Sequence, residues 1–320
     1  MSFIRYRGII FGISGALVLG SIIALAIPPA LKAGIDFSGG TAITVEFDRE
    51  VEASGVEAAL NTIGHDDAVV QATSDNSFFI RVSELRPAVR NANGEIVEPG
   101  GLEDVEAVLS SLGSFETPRS DSVSGVIGAE NIRNAIIAVI VASAAILLYI
   151  TWAFRHVPKP IRYGTAAIIA LVHDVLIVLG VFSLLGKTID LEVNAMFITG
   201  VLTTIGYSVN DTIVVFDRIR ENVARYSGAT LNEIANLSIR ETIGRSLNTS
   251  ITLLVVVVAL MLFASTSIRP LLFVLATGVI VGTYSSIFIA TMTLVAWENG
   301  EIGRFMGRIP LIGARWRPIT

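Results

Sequence analysis

Residues 206–222 read GYSVNDTIVVFDRIREN, and the interpretation of the whole chain starts from this stretch. It closes an apolar run that begins near Val193, and it carries Asp211 inside that run. A carboxylate within a membrane-spanning helix costs about 2.5–3.5 kcal/mol on insertion scales, so such residues usually serve a function. Asp211 is therefore the first candidate functional residue, provided that the run around it crosses a membrane.

The composition indicates a membrane protein with one embedded polar segment. Of the 320 residues, 52% are hydrophobic and 16% are charged, whereas soluble domains carry about 25% charged residues. Residues 28–133 hold 18 of the 28 acidic residues. The sequence gathers no basic surface for phosphate groups, which argues against nucleic acid as a partner.

Six apolar runs are long enough to cross a hydrocarbon core of about 30 Å. The first, residues 8–27, follows Arg5 and Arg7 and exceeds the length of a signal-peptide core, so we expect an uncleaved anchor helix. Residues 134–297 carry the other five predicted spans, at 135–154, 163–185, 193–216, 247–264 and 271–297. The chain is therefore predicted to be a polytopic α-helical membrane protein with six transmembrane helices.

Lys and Arg residues alternate between the short loops and predict the orientation. Residues 1–7 hold two, the 155–162 loop holds three, the 217–246 loop holds five and the 298–320 tail holds four, whereas the alternate loops hold only Lys187 and Arg269. Since cytoplasmic loops are enriched in Lys and Arg, we expect both termini to be cytoplasmic and residues 28–133 to be extracytoplasmic.

The extracytoplasmic segment is predicted to be a small α+β domain. The expected elements are strand 41–47, helix 56–63, strands 68–72 and 78–82, helix 102–112 and strand 122–127. This order is typical of a ferredoxin-like domain, in which helices cover one face of an antiparallel sheet. Residues 90–101, rich in Asn, Gly and Pro, are the most loop-like stretch within it.

Polar faces on the fourth and fifth predicted spans can meet. The residues are Thr203, Tyr207, Asn210 and Asp211 on the fourth span, and Arg245, Asn248, Thr249 and Thr252 on the fifth. Asp211 lies roughly 9 Å of helix from the cytoplasmic end at Asp217, at 1.5 Å per residue. Arg245 enters from the same end, so we predict that the guanidinium and the carboxylate approach each other.

This pair has two interpretations. Burial favours the neutral acid and a nearby arginine favours the carboxylate, so the pair can change state when a proton arrives. The alternative is a static ion pair that fixes helix packing. The position of Asp211 within a membrane span favours the first interpretation.

His173 and Asp174 form a second polar pair, in the middle of the third predicted span. They can serve as a proton relay or as a polar contact that locks this helix to a neighbour. The packing role is favoured, because the sequence shows no carboxylate or arginine partner at this depth. A metal site is not expected, since three histidines and no cysteine cannot build a typical ligand set.

Three further features are assigned to packing or to solvated surface. Gly278, Gly282 and Ser286 recur at four-residue spacing and predict close helix approach. The charged run 217–221 is expected to be a solvated helix end, with a lipid contact or a latch as alternatives. A short interfacial helix is expected after Leu231, before the fifth span. No catalytic signature occurs, so we do not expect an enzyme.

Three motifs, in this order, resemble the SecD/SecF family of bacterial Sec preprotein translocase subunits, and specifically its SecF members. They are GIDFSGGT at 34–41, NDTIVVFDRIREN at 210–222 and RSLNTS at 245–250. The resemblance covers nearly the whole chain. It marks Gly34, Asp36, Phe37, Gly39, Gly40, Asp217, Arg218, Arg220 and Glu221 as family-motif residues, and it maps the family's proton pathway onto Asp211 and Arg245. Asn210, Tyr207, His173, Asp174, Asn248 and Thr252 are supporting polar candidates.

The resemblance implies a multi-pass subunit of the bacterial cytoplasmic membrane that assists preprotein export. It implies partners in SecD, the SecY/SecE/SecG channel, the translocating preprotein and membrane lipid, with YajC as a further candidate. It also implies a transmembrane arrangement similar to one half of a resistance-nodulation-division transporter, with the proton gradient as energy source and no cofactor. The alternative functions are half of a proton-coupled exporter of small molecules or lipids, and a purely structural subunit.

Overall fold

A computed structural model describes residues 3–72, 76–90, 96–115, 119–226, 228–264, 267–301 and 304. The chain divides into two compact units. We call the first the helical unit, which comprises Met1–Lys32, Ile137–Leu191 and Met196–Thr320. The second, the sheet unit, comprises Ala33–Ile136 and Glu192–Ala195.

All strands of the described chain lie in the sheet unit. The helices are α1 (Arg7–Ala26), α2 (Ile35–Ser38), α3 (Ala53–Asn61), α4 (Gly101–Ser110), α5 (Gly125–Ala153), α6 (Ile161–Thr188), α7 (Ala195–Arg225), α8 (Leu231–Met261), α9 (Arg269–Tyr284) and α10 (Thr291–Glu298). The strands are β1 (Gly40–Glu46), β2 (Val69–Ala72), β3 (Ser77–Val82), β4 (Val89–Arg90), β5 (Ile96–Glu98) and β6 (Arg119–Val123). Ser285–Ala290 form a π-helical segment that joins α9 to α10 without a break.

Within the described residues, five helices are long and apolar enough to cross a membrane. They are Phe3–Ala26, Gly125–Ala153, Ile161–Thr188, Leu231–Met261 and Arg269–Glu298. The predicted fourth span, α7, has 31 residues but is not among them. Its middle carries hydroxyl, amide and carboxylate side chains between Thr203 and Thr212, which lower its hydropathy. The membrane span predicted for α7, and with it the total of six spans, therefore stays a prediction.

The predicted loop 217–246 is wrong over most of its length. Helix α7 continues to Arg225, and α8 begins at Leu231 and continues without interruption to Met261. The separate interfacial helix is accordingly the first part of α8. Thr230 and Glu233 form a capping box that starts this helix, and no proline follows to end it before the apolar part.

The predicted last strand and second span also need correction. Strand β6 ends at Val123, and α5 begins at Gly125, ten residues before the predicted start of the span at 135. Val123 is the last residue of β6 that pairs with β1, opposite Gly40. The chain after it has no strand to pair with and turns into helix, although its first turns carry polar residues such as Asn131.

The sheet unit contains a four-stranded antiparallel sheet in the order β2-β3-β1-β6. Strand β1 lies in its centre, with Ile43 opposite Ile80 and Val45 opposite Phe78. One face of the sheet packs on α3 and α4. The core residues are Ile43, Val45, Phe47, Val56, Leu60, Phe78, Ile80, Val82, Val105 and Leu109. The elements of this sheet and its two covering helices follow in the predicted order β-α-β-β-α-β, with the additional strands β4 and β5 inserted before α4.

The predicted loop 90–101 contains a short hairpin instead. Strands β4 and β5 pair there in antiparallel fashion, with Val89 opposite Glu98. Residues 91–95 lie outside the described part of the chain. Of the residues that suggested a loop, Asn91, Asn93 and Gly94 are among these, and Pro99 and Gly100 directly follow the end of β5.

Glycines set the distance between α9 and α7, as the four-residue spacing predicted. A methyl group at Gly278 would collide with the Thr204 side chain, and one at Gly282 would lie 3.0 Å from Ser208 Cβ. Ser286 continues this row and donates a hydrogen bond of 2.7 Å to the Ser208 carbonyl. The two helices therefore pack backbone to backbone, as is usual for small residues at membrane-helix contacts.

We expect Gly278→Ala to destabilise the helical unit by about 1–3 kcal/mol, the usual cost of overpacking a close-packed site. Gly20→Ala, in α1, is the matched control because nothing lies within 4 Å of the added methyl group. There the substitution should be neutral or stabilise by up to about 1 kcal/mol through helix propensity. Thermal unfolding of the two purified variants in detergent measures the difference, and equal midpoints would contradict the close α7–α9 contact.

Candidate functional site

Asp211 is buried within the helical unit and is incompletely hydrogen-bonded. Its side chain belongs to α7 and the residue is only 4% exposed. Within the described chain, its Oδ2 atom has no hydrogen-bond partner. On α8, the Ser246 hydroxyl and the Arg245 guanidinium interact electrostatically with the Asp211 carboxyl group. A buried carboxylate that lacks bonds is unusual, because each unmet bond costs free energy in a low-dielectric site.

Arg245 does not form the direct ion pair with Asp211 that the sequence predicted. Among the described residues, the two make no contact within 4.0 Å, and Arg245 is exposed at the surface of the chain. It acts on Asp211 only through space. The charge of Arg245 thus influences Asp211 electrostatically, whereas the predicted direct contact is not formed.

The buried face of α8 differs from the predicted one by one residue. Arg245, Asn248, Thr249 and Thr252 are exposed, whereas Thr242, Ser246 and Ser250 are buried. Ser250 fixes this rotation, because its hydroxyl lies 2.8 Å from the Tyr207 hydroxyl of α7 and also contacts Thr283 of α9. On α7, Tyr207 is half-buried, and Thr203 and Asn210 are exposed.

Asp174 lies in a second buried polar cluster, which we call the Asp174 cluster. Its Oδ2 atom accepts hydrogen bonds of 2.7 Å from Ser208 of α7 and of 2.7 Å from Ser285 of the π-helical segment. Its Oδ1 atom lies 3.0 Å from His173 Nδ1. The sequence showed no charged partner for Asp174, and its partners are in fact hydroxyl groups from two other helices.

Two more hydroxyl groups complete the Asp174 cluster. Thr212 donates a hydrogen bond of 3.0 Å to Ser286, which in turn donates one of 2.7 Å to the Ser208 carbonyl. All of these residues are nine-tenths buried or more. The sequence carried a signal for them that was not used: Thr204, Ser208 and Thr212 recur every four residues, as do Thr242, Ser246 and Ser250.

His173 extends the cluster toward α1. Its ring centre lies 6.2 Å from that of Tyr284, whose hydroxyl is 2.9 Å from Ser14 Oγ. The His173 Nε2 atom is buried and has no hydrogen-bond partner in the described part of the chain. His173 and Asp174 thus contact α7, α9 and the π-helical segment, which is the kind of contact that the packing interpretation describes.

The family-motif residues 217–222 connect α7 to α8. Arg218 Nε lies 2.7 Å from Glu241, and its Nη1 atom lies 2.5 Å from Glu221. Asn222 is fully buried and donates to Ser238 and Glu241, at 3.0 Å and 2.8 Å. Arg220 pairs with Asp217, one turn away, and lies 5.7 Å from the centre of the Phe154 ring. The latch alternative therefore describes Arg218 better than a solvated helix end does.

The motif GIDFSGGT is a backbone junction of the sheet unit. Gly39 and Gly40 have φ angles of 75° and 118°, which residues with a side chain rarely adopt. A methyl group at Gly40 would lie 2.6 Å from the Val82 carbonyl oxygen. Asp36 accepts a hydrogen bond of 2.8 Å from the Ala195 amide at the first residue of α7, and so caps that helix. Gly34 donates its amide to the Val193 carbonyl at 2.8 Å.

Comparison with known proteins agrees with the motifs. Residues 104–300 match the family described as "Protein export membrane protein SecD/SecF, C-terminal". The chain is 39% identical over 311 residues to protein translocase subunit SecF of Thermobaculum terrenum, covering 95% of this chain and 96% of that protein. It is 40% identical to the SecF subunit of Anaerolinea thermophila, over 92% of this chain and 93% of that one.

A solved structure of SecDF from Thermus thermophilus, titled a translocon-associated membrane protein, shares the fold. It superposes with a TM-score of 0.75 at 32% identity and covers 92% of this chain. This chain spans only 38% of that SecDF chain, and likewise 38% of SecDF of Bacillus subtilis, to which it is 33% identical. The extent of these matches shows that the chain belongs to the SecF subunits of the SecD/SecF protein translocase family.

Proposed function

We propose that this protein is an accessory subunit of the Sec protein-export machinery that works with SecD and uses the proton-motive force to assist preprotein translocation. Asp211 carries this proposal, because it is a buried carboxylate in the middle of α7 and its Oδ2 atom has no hydrogen-bond partner among the described residues. A titratable group in such a position is a functional site by default in a membrane protein. The names of the relatives, which are translocase subunits, support the export role.

The proposed arrangement in the membrane follows from charge and length. We assign α7 as a further membrane span, which together with the five apolar helices gives six. The excess of Lys and Arg assigns both termini and the α7–α8 connection to the cytoplasm. Residues 28–133, which include the ferredoxin-like sheet, are assigned to the extracytoplasmic side of the bacterial cytoplasmic membrane. The strand order β2-β3-β1-β6 supports the ferredoxin-like assignment.

SecD is the proposed partner at the exposed polar face of α7 and α8. Arg245, Asn248 and Thr252 are exposed on α8, and Thr203 and Asn210 are exposed on α7. Polar groups at membrane depth are costly against lipid, so a helix partner should cover them. The relatives named SecDF, of which this chain matches 38%, point to SecD as the source of that partner.

The mechanism follows from the charge of Asp211. As a carboxylate, Asp211 attracts the Arg245 guanidinium, and protonation removes this attraction. Moving one elementary charge across the membrane potential is worth about 2.3 kcal/mol per 100 mV, which is sufficient to shift helix packing. The resulting motion of the helices against SecD is transmitted to the extracytoplasmic domain, which contacts the emerging preprotein.

This mechanism needs no cofactor, metal or catalytic residue, because the proton gradient supplies the energy. The remaining proposed partners are the SecY/SecE/SecG channel, YajC, the preprotein and membrane lipid. An exporter of small molecules or lipids would share the same transmembrane chemistry. Co-purification of the chain with SecD and SecY separates the export role from the exporter alternative.

We expect Asp211→Asn to reduce export of a reporter preprotein to the level of cells that lack the subunit, and Arg245→Met to do the same. The amide keeps the size of the side chain but cannot carry the charge. Asp217→Asn is the matched control, since this carboxylate of the same helix is half exposed and forms an ion pair with Arg220, one turn away. Export, membrane level and SecD association are measured in parallel.

Normal export by Asp211→Asn at normal membrane level would exclude the proton mechanism and leave a structural subunit. Loss of export by Asp217→Asn to the same extent would mean that the assay reports any lost carboxylate on α7.

The SecD contact can be tested with single cysteines, because the chain has none of its own. We expect Asn248→Cys to form a cross-link with SecD when membranes are treated with a short bifunctional reagent that reacts with thiols and amines. Ile13→Cys, on the exposed apolar side of α1, is the control, and it should give at least fivefold less product. Equal yields at both positions would remove the assignment of the polar face to SecD.

A further inference from the structure

The helix Arg269–Glu298 contains a structural irregularity that the proposed function does not use. Ser285–Ala290 are π-helical between the regular helices α9 and α10. A π-helical segment corresponds to one extra residue in an α-helix, and such segments occur frequently at functional sites. The surrounding helix has no proline or other covalent reason for the irregularity between Leu271 and Glu298.

Side-chain contacts hold the π-helical segment in place. Ser285, its first residue, is fully buried and donates its hydroxyl to Asp174 of α6 at 2.7 Å. The same carboxylate oxygen accepts the Ser208 hydroxyl of α7 at 2.7 Å. A carboxylate is a strong acceptor, and both bonds are charge-assisted when Asp174 is ionised. Asp174 therefore ties the start of the π-helical segment to two other helices at once.

The charged and titratable groups that face Asp174 come from few elements. On α6, His173 Nδ1 lies 3.0 Å from its Oδ1 atom. On α9, Tyr284 packs against the His173 ring. Among the described residues, no Lys or Arg pairs with Asp174 within 4.0 Å, while α7 and the π-helical segment contribute hydroxyl groups only. Those hydroxyl contacts depend on the rotation of the helix that carries Ser285.

A second contact connects the π-helical segment to the residue beside Asp211. Thr212 of α7 donates a hydrogen bond of 3.0 Å to Ser286. Ser286 uses its own proton for the Ser208 carbonyl, at 2.7 Å. A shift of α7 that accompanies a change of charge at Asp211 therefore acts directly on the second residue of the segment.

We propose that Asp174 is a positioning residue that holds Ser285–Ala290 in the π-helical form, and that winding of this segment into α-helix is the conformational step driven by Asp211. In that step the extra residue passes into the following turn, and residues 285–290 rotate by about 100°, the angle per residue of an α-helix. The two contacts, Ser285 to Asp174 and Thr212 to Ser286, exist in one form only. This inference rests on the proposed proton coupling.

Deletion of one residue tests the inference directly. Removal of Ile287 converts the segment into regular α-helix and keeps α9 and α10 in register, so we expect normal membrane level and SecD association. Export driven by the proton-motive force should fall at least tenfold, because the helix can no longer change form. Deletion of Ile280 is the matched control. It removes an exposed isoleucine from regular α-helix and should lower the membrane level by rotating everything after it.

Each result of this comparison is decisive. A loss of membrane level by the Ile287 deletion equal to that of the Ile280 deletion would overturn the idea that the segment holds one removable residue. Normal export by the Ile287 deletion, together with lost export by Asp211→Asn, would overturn the inference and leave the proposed function intact. Normal export by both variants would overturn the proposed function itself.

Cysteine pairs measure the change of form without any export assay. Phe3 and Phe288 have ring centres 5.8 Å apart, and Ser14 Oγ lies 2.9 Å from the Tyr284 hydroxyl, just before the segment. In membrane vesicles, we expect a proton-motive force to change cross-linking of Phe3→Cys with Phe288→Cys by a flexible reagent that joins two thiols at least threefold. The Ser14→Cys with Tyr284→Cys pair should not respond.

Asp174→Asn separates a positioning role from simple packing. The asparagine side chain keeps the volume and still accepts a hydrogen bond, but it loses the charge that strengthens both serine contacts. We expect the response of the Phe3–Phe288 cysteine pair to the proton-motive force to disappear in this background, with the membrane level unchanged. An unchanged response in Asp174→Asn would overturn the role of Asp174, and no response in the otherwise unaltered chain would overturn the conformational step.

Discussion

The constraint on which the helical unit depends is that polar side chains at membrane depth must find their bonds inside the protein. Water is absent there, so each unmet hydrogen bond of a buried group costs free energy that no solvent returns. Serine and threonine hydroxyls of α7 and of the π-helical segment meet this constraint by reaching across helix contacts, to each other and to Asp174 of α6. Glycines at 278 and 282 bring the backbones close enough for these short side chains to meet. Close packing and polar bonding are thus one feature of this fold.

Two carboxylates of the helical unit satisfy this constraint to different degrees. Asp174 uses both of its oxygens, with bonds from α6, α7 and the π-helical segment. Asp211 lies on α7 as well, yet its Oδ2 atom is unbonded within the described structure, and its charged neighbour Arg245 is exposed. A fully bonded carboxylate resists a change of charge, because its donors would lose their acceptor. An incompletely bonded one can take up a proton without breaking such a network.

The sequence predicted those features that depend on composition and period. Apolar runs placed α1, α6 and the helix Arg269–Glu298 within a few residues, and alternation placed β1 to β3, because both patterns follow from which faces are buried. The spacing of Gly278, Gly282 and Ser286 correctly predicted a close helix contact. The sequence also predicted that Asp211 and Arg245 approach each other, since each lies a known number of residues from the same membrane boundary.

Features that depend on partners from elsewhere in the chain could not be read from the sequence. The rotation of α8 is set by the Ser250 contacts with Tyr207 and Thr283, and a one-residue error in that rotation moved Arg245 from the surface to the interior. The start of α5 depends on where β6 stops pairing with β1. The amino-acid composition of the π-helical segment does not distinguish it from an α-helix, because serines from position 285 onward fit a regular helix equally well.

Energy coupling requires a place where charge can change and a structure that responds to it, and these demands conflict within one side chain. A side chain that is hydrogen-bonded on every side transmits motion to its neighbours but does not easily change charge. A loosely bonded side chain changes charge more easily but transmits little motion to its neighbours. In α7 the two demands fall on adjacent residues: within the described part of the chain Asp211 Oδ2 accepts no hydrogen bond, whereas Thr212 is hydrogen-bonded to Ser286. Since both belong to one rigid helix, a displacement of Asp211 is also a displacement of Thr212. The bonded cluster around Asp174 then decides whether the last helix follows or resists.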